Sequence, residues 1–278
     1  MSDFGFFRRD GDRYLPTPLA RSLWSEEQMH GVALSGLLAR ELEAAAGALG
    51  KSDFVPGRYH VDLFRAARMA PTTVRTTIVR DGRRIALIDA EVVQGADDVV
   101  ARARCTCLMP SQATAGKVWT SPARATPPPL AMAPVTSDPT LPLFASEEPW
   151  SSDFGHHQNG GRHASWQTAV PTVLDEPMTP FQAVAAMADS TSMITNWGTA
   201  GIEYINTDIS LALARLPGGV QVGLRSIDHI AVDGVAVGVA EIFDRDGTIG
   251  TATVTALANT KRTVDMAVGG NERATALP

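Results

Sequence analysis

The sequence has 278 residues, of which 44% are hydrophobic and 19% charged, enough for one large or two modest globular domains. The formal net charge of −6 argues against a nucleic-acid-binding surface, because such a surface needs a basic stripe. No stretch reaches the roughly 18 apolar residues of a membrane span, and the first residues lack a signal-peptide pattern, so we expect a cytoplasmic protein without a membrane span.

The first third of the chain predicts one helix followed by strands. A helical pattern covers Met29 to Leu49, and three Val-, Ile- and Thr-rich runs follow it, ending in "DDVVARARCTCLM". Asp81-Gly82 lies inside one of these runs, and Asp-Gly is a strong hairpin signal. Cys105 and Cys107 alternate along the last strand and share a face. We expect neither a disulfide between them nor a metal site.

A proline-rich segment divides the chain. Residues 110–150 hold half of the chain's 18 prolines. Proline neither donates to a sheet ladder nor continues a helix, so this segment predicts an extended connection. The sequence therefore predicts three parts: an N-terminal half over residues 1–109, the connection over 110–150, and a C-terminal half over 151–278.

The C-terminal half repeats the order of the first. A helix over Phe181 to Trp197 precedes strand-like runs. Asp208 aligns with Asp62, and other pairs of equivalent residues in the two halves are separated by the same number of residues. Each half is thus one helix wrapped by an antiparallel sheet, an α+β unit. We expect the two sheets to join edge to edge into one surface, with both long helices on the same side of it.

The second helix carries an acid among small apolar residues. Asp189 lies in "AVAAMADSTSM", where an unpaired buried charge costs several kcal/mol. A carboxylate held there could act as a general base. The alternative is that Asp189 is solvated, or caps a second helix that begins at Ser190, because Asp is a good N-cap residue.

The chain resembles the TesB-like acyl-CoA thioesterases. The resemblance rests on "RDGDRYLPTPLARSLW", on "MHGVALSGLLARELE", on the proline-rich connection and on "LDEPMTPFQAVAAMADSTS". It implies a double hotdog, in which two helix-wrapped antiparallel sheets form a pseudo-dimer. It also implies acyl-CoA as substrate, with no metal or organic cofactor. Because hotdog sheets have edges and flat faces that favour pairing, we expect a homo-oligomer.

The resemblance also implies a site that holds the attacking water. In that family a carboxylate on the second helix, here Asp189, acts with polar side chains from two strands. Asn206 matches one of these positions, although an Asn at a strand start could equally serve its own turn. Backbone N–H groups at the start of the same helix, near Pro180, are the expected donors to the oxyanion.

The last strand departs from the family pattern. The family usually has a Gln there, and the aligned residue is Thr255. If the site is intact, the Thr255 hydroxyl must face the same cavity as Asp189 and Asn206. Residues two apart on a strand share a face. The side chains expected to point inward are therefore Thr253, Thr255 and Leu257, and those expected to point away are Val254 and Ala256.

Two other functions stay open at this point. The missing Gln suggests an acyl-CoA-binding protein with weak catalysis. A hotdog enoyl-CoA hydratase would share the fold, but it would need an Asp and His pair on its catalytic loop, and the sequence has no D-x₄-H stretch. No G-x-S-x-G, P-loop or G-x-G-x-x-G motif is present, which argues against serine-hydrolase, nucleotide and dinucleotide chemistry.

Overall fold

The computed structural model of the protein describes residues 4–268 and residue 270. The ends of the two predicted halves, residues 1–3 and 271–278, lie outside the described residues. The first half contains six strands and one long helix, with a short 3₁₀ helix at Pro18–Ala20. Its elements are β1 (Phe7–Asp10), β2 (Arg13–Pro16), α1 (Gly31–Ala48), β3 (Val55–Asp62), β4 (Thr72–Asp81), β5 (Ile85–Gln94) and β6 (Asp98–Leu108).

The second half has the same plan with more short elements. Its elements are β7 (Leu143–Ala145), β8 (Ala164–Thr168), α2 (Pro180–Ala188), α3 (Ser190–Asn196), β9 (Trp197–Gly198), β10 (Gly201–Ile202), β11 (Tyr204–Asn206), β12 (Asp208–Leu213), β13 (Gln221–Val232), β14 (Val235–Asp244) and β15 (Gly247–Ala258). The turn between β13 and β14 is Asp233-Gly234, and both residues have positive φ, as a two-residue hairpin turn requires.

The two halves share one continuous antiparallel sheet of 13 strands. The strand order β1-β2-β4-β5-β6-β3 of the first half continues as β12-β15-β14-β13-β8-β7 of the second, and β11 adds to β15. The joint is the antiparallel pair β3–β12, in which Asp62 lies opposite Asp208. The expected edge-to-edge junction is therefore confirmed.

The helices lie on one side of this sheet and run antiparallel to each other. α1 packs on α2, and the Ser35 hydroxyl donates to the Ala185 carbonyl oxygen at 2.7 Å. A β-carbon at Gly36 would lie 3.3 Å from that of Ala186, so only small residues allow this approach. The apolar core fills the layer between helices and sheet, with Leu37 and Leu38 fully buried. The double-hotdog α+β prediction is confirmed.

One element differs from the prediction. The predicted single helix over Phe181 to Trp197 is two helices, which meet at Asp189. The amide of Asp189 bonds to the carbonyl of Ala186 at 3.3 Å, so the last turn of α2 is tightened.

The proline-rich connection is mostly without regular structure, as predicted, and β7 at its end pairs with β8 at the edge of the shared sheet. The exact limits of the three predicted parts stay a prediction. Among residues 4–268 and 270, no helix is both long enough and apolar enough to cross a membrane.

Candidate active site

Asp189 is positioned by the junction of α2 and α3. It has helical backbone angles and occupies the N-cap position of α3, but its side chain makes no capping hydrogen bond. The Asp189 carboxylate therefore does not cap α3. The residue is only partly exposed, and it lines a cavity that reaches into both halves.

Strand β11 brings Asn206 to this carboxylate. Asn206 Nδ2 donates to Asp189 Oδ1 at 2.9 Å. The same nitrogen lies 3.5 Å from the carbonyl oxygen of Asp208, which fixes the orientation of the amide. The structure therefore brings together two of the three predicted site residues, and their roles in catalysis stay a prediction.

A further contact to the Asp189 carboxylate comes from the N-terminus of α1, in the other half. The backbone N–H of Val32 donates to it. Gly31 packs so tightly that a β-carbon there would lie 2.5 Å from Asp189 Cγ. The N-terminal end of a helix carries partial positive charge and stabilises anions. Sequence reasoning missed Gly31 and Val32, whose contact with Asp189 depends on how the two halves pack.

His30 fixes this end of α1. Its Nδ1 accepts a hydrogen bond from the N–H of Ala33 at 3.1 Å, and its Nε2 lies 2.9 Å from the carbonyl oxygen of Leu19. This pairing requires the neutral ring with its proton on Nε2, because only a bare Nδ1 can accept. His30 also lines the cavity.

The prediction that oxyanion donors come from the start of α2 is wrong. Asp189 is the C-cap residue of α2, so the N-terminus of α2 lies at the far end of that helix from the carboxylate. There, Glu43 Oε2 accepts hydrogen bonds from Thr179 Oγ1 and Gln182 Nε2, both at 2.8 Å. The helix N-terminus beside Asp189 belongs to α1.

The environment of Asp189 raises its pKa to about 6 from the ordinary value of 3.8. Burial is the main cause, since it disfavours the charged form. The hydrogen bonds from Asn206 and from the Val32 amide act in the opposite direction. The carboxylate therefore stays mostly ionised near neutral pH, yet it can hold a proton more firmly than an ordinary Asp.

The cavity in front of Asp189 has a volume of about 630 Å³. Its wall is mainly apolar and includes side chains from both halves. Among them are Leu23, Trp24, Phe144, Phe154, Met193 and Val264. A largely apolar cavity with a few convergent polar groups is typical of a small-molecule site.

The prediction that Thr255 faces this cavity is wrong. Thr255 is exposed on the outer face of the sheet, where its hydroxyl donates to Asp208 Oδ1 and lies 2.9 Å from Thr207 Oγ1. Val254 and Ala256, its neighbours on the strand, are buried.

A register shift of one residue moves every side chain to the other face, so the predicted inward and outward sets on β15 are exchanged. The strand position directly opposite Asn206 is Ala256. Its methyl group cannot hold a water. Within the described part of the chain, no three His, Cys, Asp or Glu side chains are grouped to hold a metal ion.

Comparisons with known proteins identify the family. Residues 20–108 match the acyl-CoA thioesterase N-terminal domain, and residues 122–258 match the acyl-CoA thioesterase C-terminal domain. The chain belongs to the acyl-CoA thioesterase family. It is thus a thioester hydrolase, and the cavity beside Asp189 lies in a thioesterase fold. No curated protein sequence matches the chain.

Solved structures share this thioesterase fold at low sequence identity. The acyl-CoA thioesterase II TesB2 of Mycobacterium marinum is 16% identical, with a TM-score of 0.60, over 92% of this chain and 94% of that one. The tesB protein of Mycobacterium avium subs paratuberculosis is 15% identical, with a TM-score of 0.63, over 91% and 95%. A hot dog fold protein of unknown function from Alicyclobacillus acidocaldarius is 16% identical, with a TM-score of 0.64, over 92% and 96%.

Proposed function

We propose that this thioesterase hydrolyses an acyl-CoA to the free acid and CoA, with Asp189 as the base that activates water. The observation that carries the proposal is the Asp189 carboxylate, held by Asn206 Nδ2 at 2.9 Å and by the Val32 N–H on the wall of a large apolar cavity. The cavity would take the acyl group, and the thioester carbonyl would lie beside the carboxylate.

The chemistry needs one base and one donor to the oxyanion. Asp189 takes a proton from water while the water oxygen bonds to the carbonyl carbon. The tetrahedral intermediate then collapses, the C–S bond breaks, and the proton held by Asp189 passes to the departing CoA sulfur. Atoms balance as one acyl-CoA and one water giving one acid and one thiol.

The N-terminus of α1 supports both stages of this reaction. In the resting site the Val32 N–H donates to the ionised carboxylate. When Asp189 takes a proton, it loses its negative charge and its hydrogen bond from the Val32 N–H weakens. The positive end of α1 can then stabilise the developing oxyanion. Asn206 keeps the carboxylate oriented while the proton moves.

A slow enzyme that mainly binds acyl-CoA is the second candidate. The observation that favours it is Ala256, which places a methyl group opposite Asn206, so that β15 offers no polar side chain at that position to hold a water. The hydratase alternative is not favoured by any observed contact.

Release of free thiol across a panel of acyl-CoA chain lengths tests the proposal. The parent should turn over at least one substrate, and Asp189→Asn should lower that rate by roughly 100- to 10,000-fold. Asp97→Asn, on an exposed part of the surface, is the control and should match the parent. Activity of Asp189→Asn within twofold of the parent would contradict the role of the base.

A further inference from the structure

A second cavity lies at the opposite end of the α1–α2 pair from Asp189. It has a volume of about 260 Å³. Its wall is mostly apolar and includes Leu42, Ala46, Phe54, Phe181 and Leu216. The proposed hydrolysis uses none of these side chains.

Both cysteines of the chain line this cavity. Cys105 and Cys107 are free thiols on the inner face of β6, each less than 5% exposed, and their sulfur atoms lie 3.5 Å apart. The hydrogen bond between the sulfurs raises the pKa of Cys105 and lowers that of Cys107. The pair therefore places a more acidic thiol, Cys107, beside a less acidic one, Cys105.

The two charged side chains that line this cavity are already engaged. Glu43 accepts from Thr179 and Gln182. Lys51 pairs with Asp81 at 3.1 Å and donates to the carbonyl of Gly82. A ligand held here would thus be bound through sulfur and apolar contact.

The geometry points to a ligand that needs two thiolates. Structural zinc sites use four protein ligands, and the described residues form no group of three. A disulfide needs a sulfur–sulfur distance of about 2.05 Å, so the two atoms would have to approach by roughly 1.5 Å within a buried strand. A centre bonded to both sulfurs at roughly 2.3 Å spans the observed 3.5 Å with an angle of roughly 100°.

We propose that Cys105 and Cys107 form a binding site for a trivalent aryl-arsenic group. Trivalent arsenic with one organic substituent forms two further bonds, both to thiolates. The two neighbouring sulfur atoms of Cys105 and Cys107 supply those two bonds. A cavity of about 150 Å³ lined by apolar side chains can hold a benzene molecule, so a cavity of about 260 Å³ has room for the aryl ring.

The binding step balances without any oxidant. Phenylarsonous acid carries two hydroxyl groups on arsenic. Cys107 and then Cys105 displace them, so two As–S bonds form, two As–O bonds break, and the thiol protons leave with the oxygens as two waters. Arsenic stays trivalent.

The test is incubation of the native full chain with phenylarsonous acid, removal of excess reagent, and intact-mass measurement with thiol titration in denaturant. Because the chain has only two cysteines, the expected result is one phenyl-arsenic group per chain and a fall from two titratable thiols to none. Cys105→Ser and Cys107→Ser should each weaken binding by at least about 100-fold. Cys→Ala variants replace them if circular dichroism shows that either serine variant fails to fold.

A second comparison tests whether the apolar cavity contributes to binding. Methylarsonous acid should bind the parent about tenfold more weakly than the phenyl form, since it buries less apolar area. Ala46→Leu, which fills the cavity but keeps both thiols, should remove that difference. Asp189→Asn should bind like the parent, which separates this proposal from the proposed hydrolysis. Two titratable thiols after native incubation, or equal binding of the phenyl and methyl forms, would overturn it.

Discussion

Gly31 and Asp189 come from different halves of the chain, yet they are in contact at the candidate site. A β-carbon at position 31 would lie 2.5 Å from Asp189 Cγ and 2.7 Å from Oδ2, closer than real side chains approach. The carboxylate can reach the N-terminal amides of α1 only because position 31 has no side chain.

Gly31→Ala should therefore lower the rate of thioester hydrolysis by at least about tenfold, since Asp189 must move away from the Val32 amide. Gly47→Ala is the matched control, because it lies in the same helix and its β-carbon would meet Ser52 Oγ at an ordinary 3.6 Å. That variant should keep its activity and gain about 0.5–1 kcal/mol of stability. Equal rates for both variants would mean that the Gly31 contact is unimportant.

His30→Ala should reduce both stability and activity, because it removes the acceptor for the Ala33 amide. Loss of an N-cap costs about 1 kcal/mol, measurable by urea unfolding. We expect the hydrolysis rate to fall severalfold as the end of α1 loosens around Asp189. His30→Asn supplies another good capping acceptor and should recover most of the stability. Unchanged stability in His30→Ala would argue against the capping role.

Hydrolysis should depend on pH through Asp189. The base works only when ionised, and its pKa is about 6, so kcat/KM should rise with pH, reach half its plateau near pH 6 and level off above it. At about pH 5 the value should be roughly tenfold below the plateau. A profile that stays flat down to about pH 4 would show that this carboxylate has an ordinary pKa or is not the base.

The raised pKa also predicts a cost in stability. The folded pKa of Asp189 is about 6 and the ordinary value is 3.8, so the native state binds this proton more tightly than the unfolded chain does. The ionised carboxylate therefore lowers the free energy of unfolding by up to about 3 kcal/mol. This loss is complete above about pH 6 and absent below about pH 3.8.

Asp189→Asn, which carries no charge, should consequently be more stable than the parent at about pH 8. This advantage should shrink on acidification and disappear at about pH 4. Urea unfolding of both proteins at the two pH values measures the difference. A variant less stable than the parent at about pH 8 would contradict this linkage, whatever its activity.

The orientation of β15 gives the last prediction. Thr255→Val and Thr255→Gln change an exposed hydroxyl on the outer face, so both should leave hydrolysis within about twofold of the parent. Ala256→Gln places an amide on the inner face opposite Asn206 and should raise the rate severalfold, at a packing cost of about 1–3 kcal/mol. Ala256→Leu is the control for packing and should not raise the rate. A large loss in Thr255→Val would contradict the observed orientation.

Several features could be predicted from the sequence because they depend on local chemistry. The apolar period of α1, the turn at Asp233-Gly234 and the prolines of residues 110–150 each act over a few neighbouring residues. The repeated order of elements then predicts two like units and their shared sheet. The expected cytoplasmic location and self-association concern properties outside a single chain, and both stay predictions.

The residue pattern predicted two helix-and-sheet units, the family resemblance added the double-hotdog plan, and Asp189 stood out as an acid in an apolar helix. What surrounds that acid depends on how the two halves pack. Antiparallel packing of α1 on α2 placed Gly31 and Val32, rather than the start of α2, beside the carboxylate. The register of β15 placed Thr255 outside and Ala256 inside. Helix direction and strand register are set by contacts between distant segments, and a shift of one residue reverses every side chain on a strand.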